Sequence, residues 1–276
     1  MRAARASGVK RVILLTMGWE DLPKAWSVHG TPPEERLVEP VPAVLVDVDG
    51  GWVLLETGFN PALILDPALR KRYHDSFYGI RPILPPGGDP LLEALDREGV
   101  TVDAIDAVAV SHLHNDHAGG IRHFAGTTPV HLQKAELDYG LHRSVDAEKH
   151  GFCRVDYDDP NIQWRLADGD VDVAPGVTCI QTPGHTPGHQ SFVVCFDKSL
   201  GGGGFVFAAD AADLTENIEQ ELPIGGVIGC DPADTVENIR RLKKLALDEG
   251  LVLVPGHDPV VWPQLTASLA ARGGRP

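Results

Sequence analysis

Short apolar stretches recur along the chain, each bounded by glycine, proline or acidic positions. Those at residues 11–16, 43–48, 52–55, 107–111, 129–132, 177–181, 191–196, 205–209 and 251–255 are strand-sized and predict buried strands. Asp49-Gly50-Gly51 between the second and third reads as a tight hairpin, and the glycine run at 201–204 as a hairpin loop. Helical signals alternate with these strands. Asp89 caps a helix that Pro90 opens, with Leu91, Leu92 and Leu95 as its stripe and Gly99 as its stop. Residues 234–249 form the clearest helix: Asp234 and Glu237 resemble a capping box, Val236, Ile239, Leu242 and Leu245 share a face, and Gly250 ends it. A further helix is expected at 135–143, and residues 18–42, rich in Pro, Glu and Trp, read as one long loop. Hairpins mixed with crossover helices predict a layered α/β fold, and no linker or repeat interrupts residues 1–276, so one domain is expected.

Composition narrows the function classes. Of 276 residues 43% are hydrophobic and 23% charged, a balance that supports a packed core. No apolar run approaches the roughly 20 residues of a membrane helix. The basic start, MRAARASGVKRVILLTM, leads into a strand without a small-residue cleavage site, so a cytoplasmic location is expected. With 39 acidic against 24 basic residues the net charge is −15, which argues against nucleic acid and anionic lipid as partners. Cys153, Cys179, Cys195 and Cys230 lack CxxC spacing and are expected to be reduced.

The chemistry lies in the histidines. Of twelve, five fall in two clusters. Ser111-His112-Leu113-His114-Asn115-Asp116-His117-Ala118-Gly119-Gly120 follows an apolar strand, and period-two alternation aims His112 and His114 to one side. Four potential ligands within six residues rarely arise for packing reasons, and imidazole with carboxylate suits a borderline-soft divalent ion. Thr182-Pro183-Gly184-His185-Thr186-Pro187-Gly188-His189 is a rigid turn that presents His185, while a structural hydrogen bond is the expected role of His189. Asp210 and His257 each sit just past a strand, where α/β folds gather their sites; taken singly, either is ordinarily a capped or solvated residue. His123, His131, His142 and His150 lack such company and read as surface or core residues.

The motif His112-x-His114-x-Asp116-His117-Ala118-Gly119-Gly120 resembles the signature of the metallo-β-lactamase superfamily. Thr57-Gly58 matches its early Asp-Thr-Gly turn with Glu56 in the Asp place, and Thr182–Ser191, Asp210 and His257 match the later motifs in order. Within the superfamily the chain is most similar to the N-acyl homoserine lactonases, on Ser111–Gly120, Gln133-Lys134-Ala135-Glu136, Thr182–Ser191 and Gly256-His257-Asp258. The resemblance implies a four-layer αββα sandwich with two divalent metal ions at one edge, zinc first, with iron, cobalt or manganese also admitted. It implies His112, His114 and His185 on one ion, Asp116, His117 and His257 on the other, and Asp210 bridging both.

Such a site implies a metal-bridging hydroxide as nucleophile, one ion polarising the ester carbonyl, and Asp116 passing a proton to the leaving alkoxide. The family's Tyr three residues after the bridging Asp is Asp213 here, and Asn115 stands where an aromatic is common. Trp19, Trp26 and Phe77-Tyr78 are candidates to cover the site or to pack a subunit contact. The segment 18–42 resembles the extra segment of dimeric lactonases and implies a homodimer. Opening of an N-acyl homoserine lactone (quorum quenching) is the activity implied. Hydrolysis of another small lactone or ester, or a glyoxalase II-like thioesterase, is the alternative. A non-catalytic metal-binding module is disfavoured because all seven ligand positions are intact.

Overall fold

The structure, a computed structural model, describes residues 8–74, 79–142, 148 and 150–276. Its strands are β1 (Val9–Pro23), β2 (Arg36–Val48), β3 (Gly51–Leu55), β4 (Arg81–Ile83), β5 (Ile105–Ala109), β6 (Pro129–Gln133), β7 (Gln163–Ala167), β8 (Val171–Ala174), β9 (Val177–Gln181), β10 (Gln190–Cys195), β11 (Gly204–Phe207) and β12 (Val252–Val254). They form a seven-stranded sheet ordered β4-β1-β2-β3-β5-β6-β7 and a five-stranded sheet ordered β12-β11-β10-β9-β8.

Side-chain alternation explains how the sheets stack. In β2, Val44, Val46 and Val48 point toward the second sheet, while Ala43 and Leu45 point to the helix-covered face. Phe192 and Val194 of β10, and Phe205 and Phe207 of β11, meet those valines from the other side. Val193 and Val206 instead face Ile239, Leu242 and Ala246 of the helix Pro232–Glu249. On the far face of the first sheet, Leu91, Ala94 and Leu95 of the helix Pro90–Arg97 pack against Leu54 and Val108. Strands buried on both faces carry continuous apolar runs, which is why their positions stand out in the sequence. The layers are helix, sheet, sheet, helix, as expected, and the helix Val261–Ala271 closes one end with Trp262, whose Nε1 donates to Thr16 Oγ1 at 3.1 Å.

Three expectations change. The segment 18–42 is not one long loop: β1 and β2 run on together as an antiparallel ribbon from Trp19↔Pro40 to Pro23↔Arg36. Pro40 and Pro42 are tolerated because β3 pairs only with residues 44–48 of β2, so their missing N–H groups need not break a second ladder. Gly18, at φ +145°, marks the register shift where the ribbon leaves the sheet, and a Cβ there would lie 2.8 Å from the Ile83 carbonyl oxygen. The long helix starts at Pro232, two residues before the capping box expected at Asp234 and Glu237. Asp231 is the cap, accepting from Ala233 N, and Asp234 reaches back to the Asp231 N–H. Finally, β4, β7 and β8 are short, half-exposed strands whose mixed composition gave no apolar run. The helix expected at 135–143 is found as Lys134–His142. Among the described residues no helix is long and apolar enough to cross a membrane.

Candidate metal centre

Four separate chain segments converge at one edge of the sandwich. Beyond β5 the chain turns through His112 and His114 into the single-turn helix Asn115–Ala118, which holds Asp116 and His117. His185 lies between β9 and β10, Asp210 in the 3-10 turn Ala209–Ala211 after β11, and His257 after β12. The structure thus brings together all seven residues singled out in the sequence. His114 is half-buried and the other six are buried.

The donor atoms form two groups that share Asp210. His185 Nε2 lies 3.2 Å from His112 Nε2 and 2.9 Å from His114 Nδ1, and Asp210 Oδ2 is 3.4 Å from His185 Nε2. On the other side His117 Nε2 lies 2.9 Å from Asp116 Oδ2 and 3.2 Å from Asp210 Oδ1, and His257 Nε2 is 3.1 Å from that same Oδ1. Tetrahedral donors about 2.0–2.1 Å from one zinc ion stand about 3.3 Å apart, so this spacing fits a divalent ion held within each group.

Outer hydrogen bonds fix which nitrogen faces inward. His257 Nδ1 donates to the Pro40 carbonyl oxygen at 2.9 Å, leaving Nε2 for the centre. His117 Nδ1 faces the buried Glu56 carboxylate at 3.3 Å, and His112 Nδ1 faces Ser111 Oγ at 2.8 Å. Glu56 holds φ +67°, unfavourable for a side-chain-bearing residue, and both its oxygens accept from the Ser111 N–H. His189 is the structural residue expected: its Nε2 accepts the Asp210 N–H and its Nδ1 lies 2.9 Å from Thr182 Oγ1. Burial pushes that ring down to about 3, so it stays neutral.

Electrostatics divides the centre. Burial, with the mutual repulsion of the rings, holds His112, His114 and His185 below the usual imidazole range, in the neutral form that ligates. Burial also works against charge on His117 and His257, but Asp210 beside both, with Asp116 beside His117, outweighs it and raises them. Asp210 is itself buried, yet the surrounding imidazoles hold its carboxyl well below the ordinary range.

Glu136 ties the two main loops together. Its carboxyl accepts from Leu113 N at 3.0 Å, Thr186 Oγ1 at 2.8 Å and Gly188 N at 3.0 Å, and burial pushes it up to about 7. A Cβ at Gly188 would lie 2.1 Å from the Glu136 nitrogen, so only glycine lets the His185 loop close on this residue.

A cleft opens over the centre. Trp26, Asn115 and Asp213 line it as anticipated, but Trp19 does not; it lies on the exposed ribbon. Phe77-Tyr78 lie outside the described residues. His150, expected to be surface or core, lines the cleft, as do His74, Glu20 and Glu39, which the sequence did not single out. The two glutamates arrive on the ribbon that reads as a loop, so no local pattern marked them. His123 pairs instead with Asp89 at 2.9 Å.

Known proteins resemble this chain in sequence and in fold. N-acyl homoserine lactonase AiiA of Bacillus thuringiensis subsp. kurstaki is 32% identical over 228 residues, covering 82% of this chain and 84% of the relative. N-acyl homoserine lactonase AttM of Agrobacterium fabrum is 30% identical over 239 residues, covering 81% and 83%. A solved N-acyl homoserine lactone hydrolase, with the product N-hexanoyl-L-homoserine bound at its catalytic metal centre, superposes with a TM-score of 0.79 at 28% identity, covering 94% of this chain and 96% of that one. The family model that matches residues 36–257 takes in every strand but β1 and all seven clustered residues: the chain belongs to the metallo-beta-lactamase superfamily.

Proposed function

We propose that the protein is a metal-dependent hydrolase that opens lactone rings, with an N-acyl homoserine lactone as substrate and quorum quenching as the biological result. The observation that carries this is the division of Asp210, whose Oδ2 faces His112 and His185 while Oδ1 faces His117 and His257. In this reading His112, His114 and His185 would hold one zinc ion and Asp116, His117 and His257 a second, with Asp210 available to both. When bound, the ions activate water and polarise the ester carbonyl. Asp116 lines the cleft beside His117, placed to take the proton the attacking water loses and to return it to the ring oxygen as that oxygen leaves. The buried shell of Ser111, Glu56, Glu136 and His189 holds the donors still, so little reorganisation accompanies the reaction. The names of the relatives support the substrate class.

The same reading treats residues 1–276 as one catalytic domain, cytoplasmic, and dimeric through the ribbon that exposes Trp19 and Val38, with the exposed Ile83 of β4 paired beside Trp19. Light scattering that shows a monomer at micromolar concentration rejects the dimer. For the activity, metal-loaded protein is assayed with a pH indicator against homoserine lactones of short, medium and long acyl chain, plain γ- and δ-lactones and a thioester. Fastest turnover of the homoserine lactones is expected. Turnover confined to the thioester rejects the lactonase reading.

A further inference from the structure

The two halves of the candidate metal centre are supported unequally. On the Asp116 side both histidines have an outer partner: Nδ1 of His117 faces the buried Glu56 carboxylate at 3.3 Å, and Nδ1 of His257 donates to the Pro40 carbonyl oxygen at 2.9 Å. On the other side only His112 has one, Ser111 Oγ at 2.8 Å, and that hydroxyl also lies 3.4 Å from His117 Nδ1. His114 turns Nδ1 inward, 2.9 Å from His185 Nε2. The nitrogens left on the outside, Nε2 of His114 and Nδ1 of His185, are cut off from solvent and have no hydrogen-bond partner among the described residues. The Phe152 ring packs edge to face against His114, centroids 4.8 Å apart, and an aromatic ring is a far weaker acceptor than a carboxylate or a carbonyl oxygen.

A neutral imidazole that ligates through one nitrogen carries its proton on the other. Buried without an acceptor, that N–H loses its hydration and gains nothing in return, and the ring is both less basic toward a metal and less firmly oriented. Charge adds to the difference. The Asp116 group has a carboxylate of its own and a share in Asp210, whereas the His112 group has only its share in Asp210. The carboxylates that draw protons toward His117 and His257 draw an ion of charge two more strongly still. We infer that the ion of the His112, His114 and His185 group is the weaker-held and exchangeable one, so that as free metal falls the protein passes through a one-ion state loaded at Asp116, His117 and His257. This inference rests on the two-ion hydrolase reading and goes beyond it by saying which ion leaves first.

Zinc-loaded protein titrated with a chromophoric chelator is expected to release its ions in two classes of affinity at least about tenfold apart, the usual effect of losing an outer partner. Crystals of the zinc-loaded protein soaked in graded chelator assign the classes. The anomalous signal at the zinc edge is expected to fade at His112, His114 and His185 while it persists at Asp116, His117 and His257. Zinc found in the Asp116 group alone also supports the inference. A single affinity class, equal fading of the two signals, or earlier loss from the Asp116 group overturns it and leaves the two-ion reading intact. Zinc in neither group overturns both.

Discussion

Asp210 donates its backbone N–H to Nε2 of His189 at 3.1 Å, so the orientation of the shared carboxylate is set by a ring that never touches the centre's interior. His189→Ala removes the acceptor. Metal affinity, read by competition with a chromophoric chelator, is expected to fall about 10–100-fold. His189→Gln offers an amide oxygen and should recover part of the loss. Unchanged affinity in both variants would show that the 3-10 turn holds Asp210 without help.

Stripping the ions leaves Asp116 and Asp210 crowded by five imidazoles. At an ion concentration 1,000-fold above Kd the linkage is about 4 kcal/mol. Excess chelator is therefore expected to lower the melting temperature by on the order of ten degrees. His112→Ala should lose metal and turnover together. A metal-free His112→Ala protein with full hydrolytic rate would rule out the metal mechanism.

Gly119 follows the helix that carries Asp116 and His117, and a Cβ there would lie 2.1 Å from the Asn60 nitrogen, a backbone atom that cannot swing away. Gly119→Ala is expected to cost about 3 kcal/mol or more in urea denaturation. Retention of wild-type stability would mean that the turn after β3 moves freely.

Asp156 supplies a pH effect remote from the seven clustered residues. It is buried, Asn60 Nδ2 donates to its Oδ1 at 2.6 Å, and burial pushes its carboxyl up to about 7. The folded state therefore binds a proton that the unfolded chain releases near its ordinary value of about 3.9. Its stabilising effect is full below that value and is lost as pH rises through about 7. Between pH 5 and 8 the wild type should lose more stability than Asp156→Asn, by on the order of a few kcal/mol. Parallel urea midpoints for the two proteins across that range would disprove this.

What could be read from the sequence follows from how local each feature is. His112, His114, Asp116 and His117 occupy six consecutive residues after an apolar strand, so chemistry and element were visible together. Asp210 and His257 were visible as single polar residues past strands, and only the order of motifs linked them to the histidine run. Glu20 and Glu39 could not be found that way. Their proximity is a register fact between β1 and β2, in a stretch whose prolines and charges mimic a loop. Asp231 was passed over as a cap because Asp234, three residues on, offers a plausible one; both act, at N-cap and N3.

The bond from His257 Nδ1 to the Pro40 carbonyl spans 217 positions of chain. Neither end belongs to an element that forms by local contacts: Pro40 sits on the ribbon of the first sheet, and His257 follows the edge strand of the second. Contacts of such separation are made late, after the loop-closure entropy of both sheets has been met. Ion capture by the Asp116, His117 and His257 group should therefore act as a clock for the last step of folding, when the two halves of the chain lock against each other.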